Sequence, residues 1–344
     1  MNHLKKNRTK VLEEPVLAKR RAGLKWLAMV GIGMAVAWPA AQAQSGDWPN
    51  KPVRVVIPFS SGGATDLLGR GLGNELGKIW KQSVIIDNRT GAGGAVAAEL
   101  VAKAPADGYT LLLASGSMFT VNPHLYAKLP YSLQSFELIG KTASGPMVVT
   151  INSALPVNNF KEFMAYAKAN PGKLNMASAG NGSQVHIAGE AFAQASGIDV
   201  THVPYKGEGP AYADLMGGAV QMAVGNINAI SPLLKSGRVK ALAVTGRERS
   251  GLMPDVPTVA EAGLPNFEFT GWFALVAPAG MPKALTAKVY ADIQQAMEQP
   301  GMKRYLAEQG MLSSVVGPTQ LTDDINRESA RWKELVAVRK ITAN

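Results

Sequence analysis

The sequence predicts an α/β fold in two lobes, each built on a parallel sheet. Short apolar runs alternate with helix-like segments along most of the chain, the signature of βαβ units. The runs VRVVIPF (53–59), SVIIDN (83–88) and YTLLLAS (109–115) are largely unbroken by polar residues, as expected of strands covered on both faces. The same βα pattern recurs after residue 146, and a strand-like run, FTGWFALVAP (269–278), then precedes C-terminal helical segments. That return divides the chain into lobe 1 (44–147 plus 272–344) and lobe 2 (148–271).

In lobe 1 the order is strand 53–59, helix 66–80, strand 83–88, a glycine-rich turn TGAGG (90–94), helix 95–104 and strand 109–115. The segment 129–140 follows, then a strand at PMVVTIN (146–152). Lobe 2 reads as helix 160–172, closed by Pro171 and Gly172, then strand 174–180, a turn and helix over 181–197, and strand 200–205. A helix over 208–218 carries Pro210, suited to a first turn. Strand 220–226, a short helix at 230–237 and strand 239–246 complete it. After the return strand, a helix at 284–299 and two shorter helical stretches are expected.

The first 43 residues have a different character. Eight Lys and Arg lead into the apolar run WLAMVGIGMAVAW (26–38), and AQA (41–43) fits a small-x-small cleavage site. This is the pattern of a secretory signal peptide cut near Ala43, so the expected location is the periplasm. The apolar run is shorter than the roughly 20 residues needed to span a bilayer. Adjacent Arg20 and Arg21 also fit twin-arginine export, though an ordinary secretory signal explains them as well. The whole chain has 35 basic and 25 acidic residues, of which eight and two fall in this segment; the remainder, 27 against 23, is only +4. Nucleic acid is therefore not an implied partner. With no cysteine, thiolate metal sites, cysteine nucleophiles and a lipid-anchoring cysteine are excluded.

Three turns place glycine and hydroxyl residues between a strand and a helix: FSSGGATD (59–66), SGSMFTVN (115–122) and AGNGSQVH (179–186). Helix N-termini offer free N–H groups and a favourable dipole to an anion, while the same residue types also serve as ordinary helix caps. In open α/β sheets ligands lie beyond the carboxyl ends of strands, where all three turns fall. Asp66 reads as a residue that fastens the following helix rather than as a general base. His186 and Glu190 are four apart, a spacing able to hold a metal, but nothing else completes a ligand set and HExxH is missing. His186 is read instead as a hydrogen-bond donor to a ligand or a turn cap; His124 and His202 read as structural. GAGGAVA (91–97) imitates a dinucleotide fingerprint, yet its spacing departs from GxGxxG and no acid ends the next strand, so a tight packing turn is preferred. No P-loop or nucleophile elbow is present. Tyr205 ends a strand, where its ring and hydroxyl suit a pocket wall, and Lys206 beside it reads as solvated. No cofactor and no metal are expected.

The strings PFSSGGATDLLGR (58–70), NRTGAGG (88–94), ADGYTLLLAS (106–115), NPHLYAKLPY (122–131), GNGSQVHIAGE (180–190), HVPYKGEGPAYADLMGG (202–218), RVKALAVTGRERSGLMPDVPTVAEAG (238–263), and Trp272 with APAGMP (277–282) occur in order. Together they resemble the substrate-binding proteins of tripartite tricarboxylate transporters, the Bug receptors, from about residue 48 to about 320. The resemblance implies the two-lobed type II (Venus-flytrap) periplasmic binding protein fold. It implies a non-catalytic receptor that delivers a small carboxylate, a dicarboxylate or an aromatic acid, to the membrane permease subunits, and a monomer is expected. Carried onto this sequence, the first ligand loop is Phe59, Ser60, Ser61, Gly63, Ala64, Thr65 and Asp66. The facing loop is Asn181, Gly182, Ser183 and His186, with Ser115, Ser117, Tyr205 and Asn226 in the remaining wall. Ser60 and Ser61 depart from the Pro or Ala often found there. The alternatives are a receptor that presents its ligand to a signalling kinase, and an exported hydrolase using Ser, His186 and Asp66.

Overall fold

The computed structural model describes residues 48–343; the expected signal segment, 1–43, lies outside them. In chain order the first half contains β1 (Val53–Ile57), α1 (Ala64–Trp80), β2 (Val84–Asn88), α2 (Ala95–Ala102), β3 (Thr110–Ser115) and two one-turn helices, α3 (Ser117–Thr120) and α4 (Asn122–Leu125). A long β4 (Phe136–Asn152) leads to α5 (Phe160–Ala169), β5 (Leu174–Ser178), α6 (Gln184–Ser196), β6 (Val200–Pro204), α7 (Glu208–Gly217), β7 (Met222–Asn226), α8 (Ile227–Leu234) and β8 (Val239–Val244). Then come β9 (Thr270–Pro278), α9 (Lys283–Glu298), α10 (Pro300–Glu308), β10 (Leu312–Val316) and α11 (Pro318–Val338).

The strands follow the order β2-β1-β3-β9-β4-β7-β5-β6, with β8 and β10 also on β4. Two parallel triplets result. β1 lies between β2 and β3, and β5 lies between β6 and β7. The apolar runs of the sequence are explained by this placement, since Val53, Val55, Val56 and Ile57 are all buried. β4 joins the triplets. Its residues Phe136–Pro146 pair with β9, and Met147–Asn152 pair with β7 and β8. The sequence suggests two separate segments at 129–140 and 146–152; the structure makes one seventeen-residue strand across both.

α1 packs on the first triplet with Leu68, Leu72, Leu76 and Trp80, four residues apart on one face, against Val53, Val55, Ile57, Leu111 and Leu113. Each such leucine is worth about 2 kcal/mol of burial. Gly69 permits the close approach, because a Cβ there would lie 2.7 Å from Ile57 Cδ1. α6 packs Val185, Ile187, Ala188 and Phe192 against Met176 and its neighbours in the second half.

The C-terminus departs from expectation. The two shorter helical stretches prove to be α10, the strand β10 and α11, the last with 21 residues. β10 pairs with β4 through an irregular register, and its Leu312 and Ser313 are exposed, so no clean alternation marks it in the sequence.

Candidate ligand-binding site

The turn after β1 is tied down by one carboxylate. Gly62 takes φ +82, a conformation that favours glycine, and Gly63 caps α1 with no side-chain hydrogen bond. Asp66, in the first turn of α1, accepts from Gly62 N (2.9 Å) and Arg70 Nε (2.9 Å) at Oδ2, and from Arg70 Nη2 (3.0 Å) and Asn88 Nδ2 (3.0 Å) at Oδ1. Asn88 Nδ2 also donates to Phe59 O at 2.9 Å, which stitches the turn to β2. Burial alone raises the Asp66 pKa, but hydrogen bonds from Arg70, Gly62 and Asn88 outweigh it and hold the carboxyl below its ordinary value.

The turn after β5 is held without a charged group. Gly180 and Gly182 take φ +117 and +78. Ser183 caps α6: its Oγ accepts from His186 N at 3.3 Å and donates to Gly180 O at 2.7 Å. Gly182 N donates to His186 Nδ1 at 3.2 Å. The His186 ring stacks on His202 at 3.7 Å between centroids, and His202 Nε2 lies 2.6 Å from Ser178 Oγ. Burial pushes His186 well below its usual pKa, with His202 adding to it, and burial brings His202 down to about 4. Both rings are thus neutral at pH 7. His186 caps its own turn through Nδ1.

The two turns face each other across a narrow cavity of about 30 Å³. Phe59, Ser60, Gly63, Ala64 and Thr65 form one wall, and Ala179, Ser183, Gln184 and Val185 the other. Glu208, Asn226 and Phe273 complete it. An adjoining cavity of about 300 Å³ is bordered by the Gly91–Gly94 turn, Tyr126, Asn181, Tyr205 and Lys206, and shares Phe59 and Ala179 with the first. The sides come very close: a Cβ on Gly207 (φ +128) would collide with Ser60 Oγ, and one on Gly93 with Asn181 O. Tyr126 Oη donates to Asn181 O at 3.2 Å.

Glu208, the first residue of α7, is the buried acid of the small cavity, 7% exposed. Its Oε1 accepts from Tyr212 Oη (2.7 Å), Asn226 Nδ2 (2.9 Å) and Asn226 N (3.3 Å). Among the described residues its Oε2 accepts only from Ala64 N, at 3.4 Å, across the cavity. Burial raises the Tyr212 phenol pKa well above its usual value, and the Glu208 carboxylate adds to that.

Of the residues expected from the sequence, Phe59, Ser60, Gly63, Ala64, Thr65, Ser183 and Asn226 line the small cavity, and Asn181 and Tyr205 border the larger one. Ser61, Asp66, Gly182 and His186 line neither and act through the turns they shape. Ser115 and Ser117 are buried, lie 3.1 Å from each other at Oγ, and line neither cavity. Asp66 spends its oxygens on Gly62, Arg70 and Asn88, none of which is a histidine, so the Ser–His186–Asp66 arrangement of a hydrolase is not assembled. Lys206 is exposed at the rim of the larger cavity. Glu208, Gln184, Val185 and Phe273 were not singled out by the sequence. An acid in a first helical turn is too ordinary a cap to be read as a cavity residue.

The family model for tripartite tricarboxylate transporter family receptors matches residues 68–341. BugT of Bordetella pertussis is 35% identical over 312 residues, 90% of this chain and 96% of that protein. A solved R. palustris protein with adipate, Rpa4515, has a TM-score of 0.81 and 33% identity over 86% of this chain and 99% of its own. MatC of Rhodopseudomonas palustris with bound malate has a TM-score of 0.77 and 34% identity over 84% of this chain and 99% of its own. The chain belongs to the tripartite tricarboxylate transporter receptor family, that of the Bug proteins, and has their two-lobed type II periplasmic binding protein fold.

Proposed function

We propose that the protein is a non-catalytic periplasmic receptor that takes up a small organic carboxylate between its lobes and delivers it to the permease subunits of a tripartite tricarboxylate transporter. The observation that carries this reading is the pairing of two turns. Each follows the central strand of a parallel triplet, each opens a helix, and both border one cavity. The first four N–H groups of a helix have no intrahelical acceptor. α1 and α6 therefore bring donors from opposite sides to one place, and Ser60, Thr65 and Ser183 add hydroxyls there. Charge-assisted bonds to such donors are strong. The relatives solved with adipate and with malate support a carboxylate ligand here. The lobes in this reading are 44–147 with 272–344, and 148–271. Ligand shifts the balance between separated and closed lobes.

Thermal denaturation of the mature protein against aliphatic and aromatic acids tests the proposal. A ligand at one hundred times its Kd adds about 2.7 kcal/mol to native stability. A rise in Tm with at least one dicarboxylate or aromatic acid is expected. If millimolar concentrations of every carboxylate leave the Tm unmoved, the receptor reading is wrong. Delivery is tested by uptake of that acid into proteoliposomes bearing the permease, which should require this protein.

A further inference from the structure

Glu208 occupies a position that a carboxylate ligand would otherwise compete for. The amide of Ala64 in the first turn of α1 and both nitrogens of Asn226, at the start of α8, are directed at it. Two helix N-termini that would suit a ligand anion are thus partly engaged by the protein's own side chain. Its two oxygens are unequal. Oε1 accepts three hydrogen bonds, whereas Oε2 accepts one long bond and lies beside Gly63, where a Cβ would be 3.2 Å away. No Lys, Arg or His forms a salt bridge with Glu208 among the described residues. The cavity lining therefore presents a carboxylate oxygen with acceptor capacity to spare and, among the described residues, no ion-pair partner.

We infer that Glu208 sets ligand specificity by accepting a hydrogen bond from a cationic or N–H-bearing group, an ammonium or a carboxamide, on the far end of a carboxylate ligand. The inference rests on the carboxylate-receptor reading and narrows it. The ligand carboxylate is left the donors not engaged by Glu208: the first turn of α6 with Ser183, and the hydroxyls of Ser60 and Thr65. A second carboxylate on the same ligand would be forced against Glu208 Oε2, and like charges brought together in a buried place are costly. Glu208 is a binding residue, and the chemistry it favours is that of an ω-amino or ω-amido acid over a symmetric diacid of the same length.

Calorimetric titration of the mature protein with matched pairs decides the matter: succinate against 4-aminobutanoate, and adipate against 6-aminohexanoate and adipamate. For a length that binds, the wild type should prefer the amino or amido acid by about tenfold or more. In Glu208→Gln, which keeps a carbonyl acceptor of the same size, that ratio should fall by a similar factor, through weaker amino-acid and tighter diacid binding. A wild type that prefers the diacid overturns the inference without any variant being needed. So does a preference that persists unchanged in Glu208→Gln. Tight diacid binding indifferent to residue 208 removes this inference alone; absence of binding by every acid of either kind removes the carboxylate reading along with it.

Discussion

The turns after β1 and after β5 hold equivalent places in their triplets, yet they are secured by opposite means. The first depends on charge. The Asp66 carboxylate collects Gly62, Arg70 and Asn88, and through Asn88 it reaches the backbone of Phe59. The second depends on neutral groups, the Ser183 hydroxyl and a buried imidazole pair. Both arrangements aim helix N–H groups at the same cavity. The difference shows that donor geometry for an anion can be fixed with or without an ionised anchor. It also means that the two turns fail under different conditions.

Acid should separate them most clearly. His202 has a folded pKa of about 4 against an ordinary 6.5, and His186 is shifted in the same direction. A depressed pKa means that the unfolded chain binds the proton more readily. Stability is then complete above pH 6.5 and is lost as pH falls toward the folded value. For His202 that loss is on the order of 3 kcal/mol by pH 4. Asp66 is also depressed, but from an ordinary value of 3.8, so its contribution persists until the pH drops below that. Between pH 7 and 4.5 the amides of Gly182 and His186 should exchange faster, after correction for intrinsic rates, while that of Gly62 does not. His202→Gln should flatten the fall in Tm over this range. Parallel loosening of both turns would show that their anchoring does not differ in the way described.

Asp66→Ala probes the other anchor at neutral pH. It removes the acceptor of Gly62 and one of the two acceptors of the half-buried Asn88 amide, and leaves Arg70 unpaired, though half of that side chain is in solvent and its share is small. A loss of about 2 kcal/mol in urea unfolding is expected. Ligand affinity should fall as well, although Asp66 lines neither cavity. Asp66→Asn, which keeps an acceptor for Gly62, should recover part of both. If affinity is untouched in Asp66→Ala, the turn does not need its anchor to bind.

These contrasts also mark what was legible in the sequence. The parallel strands could be read because burial on both faces leaves runs such as VRVVI with a single polar interruption, Arg54. The turns could be read because positive φ calls for glycine and helix starts call for hydroxyls, as at Gly62, Gly182 and Ser183. What joins distant segments could not. That Glu208 would reach Ala64 N is a consequence of packing between elements far apart in the chain. The helix α11 was readable in principle, since Leu321, Ile325, Trp332, Leu335 and Val336 fall at helical spacing, but its polar bulk masked the pattern.

Ser183→Ala is the smallest of these perturbations and the most specific to the second turn. The Oγ cap to His186 N and the bond to Gly180 O are both lost, and a cap of this kind is worth about 1 kcal/mol. No charged group is uncovered, so the cost should not vary with salt, in contrast to Asp66→Ala, whose ion pair with Arg70 is partly screened. Affinity should drop further than stability does, because the hydroxyl borders the cavity and fixes the first turn of α6. Urea melts and calorimetric titrations at low and high salt check both parts. A stability loss that shrinks with added salt would mean that the second turn is held by charge after all. An affinity unchanged within error would place the ligand's carboxylate away from α6.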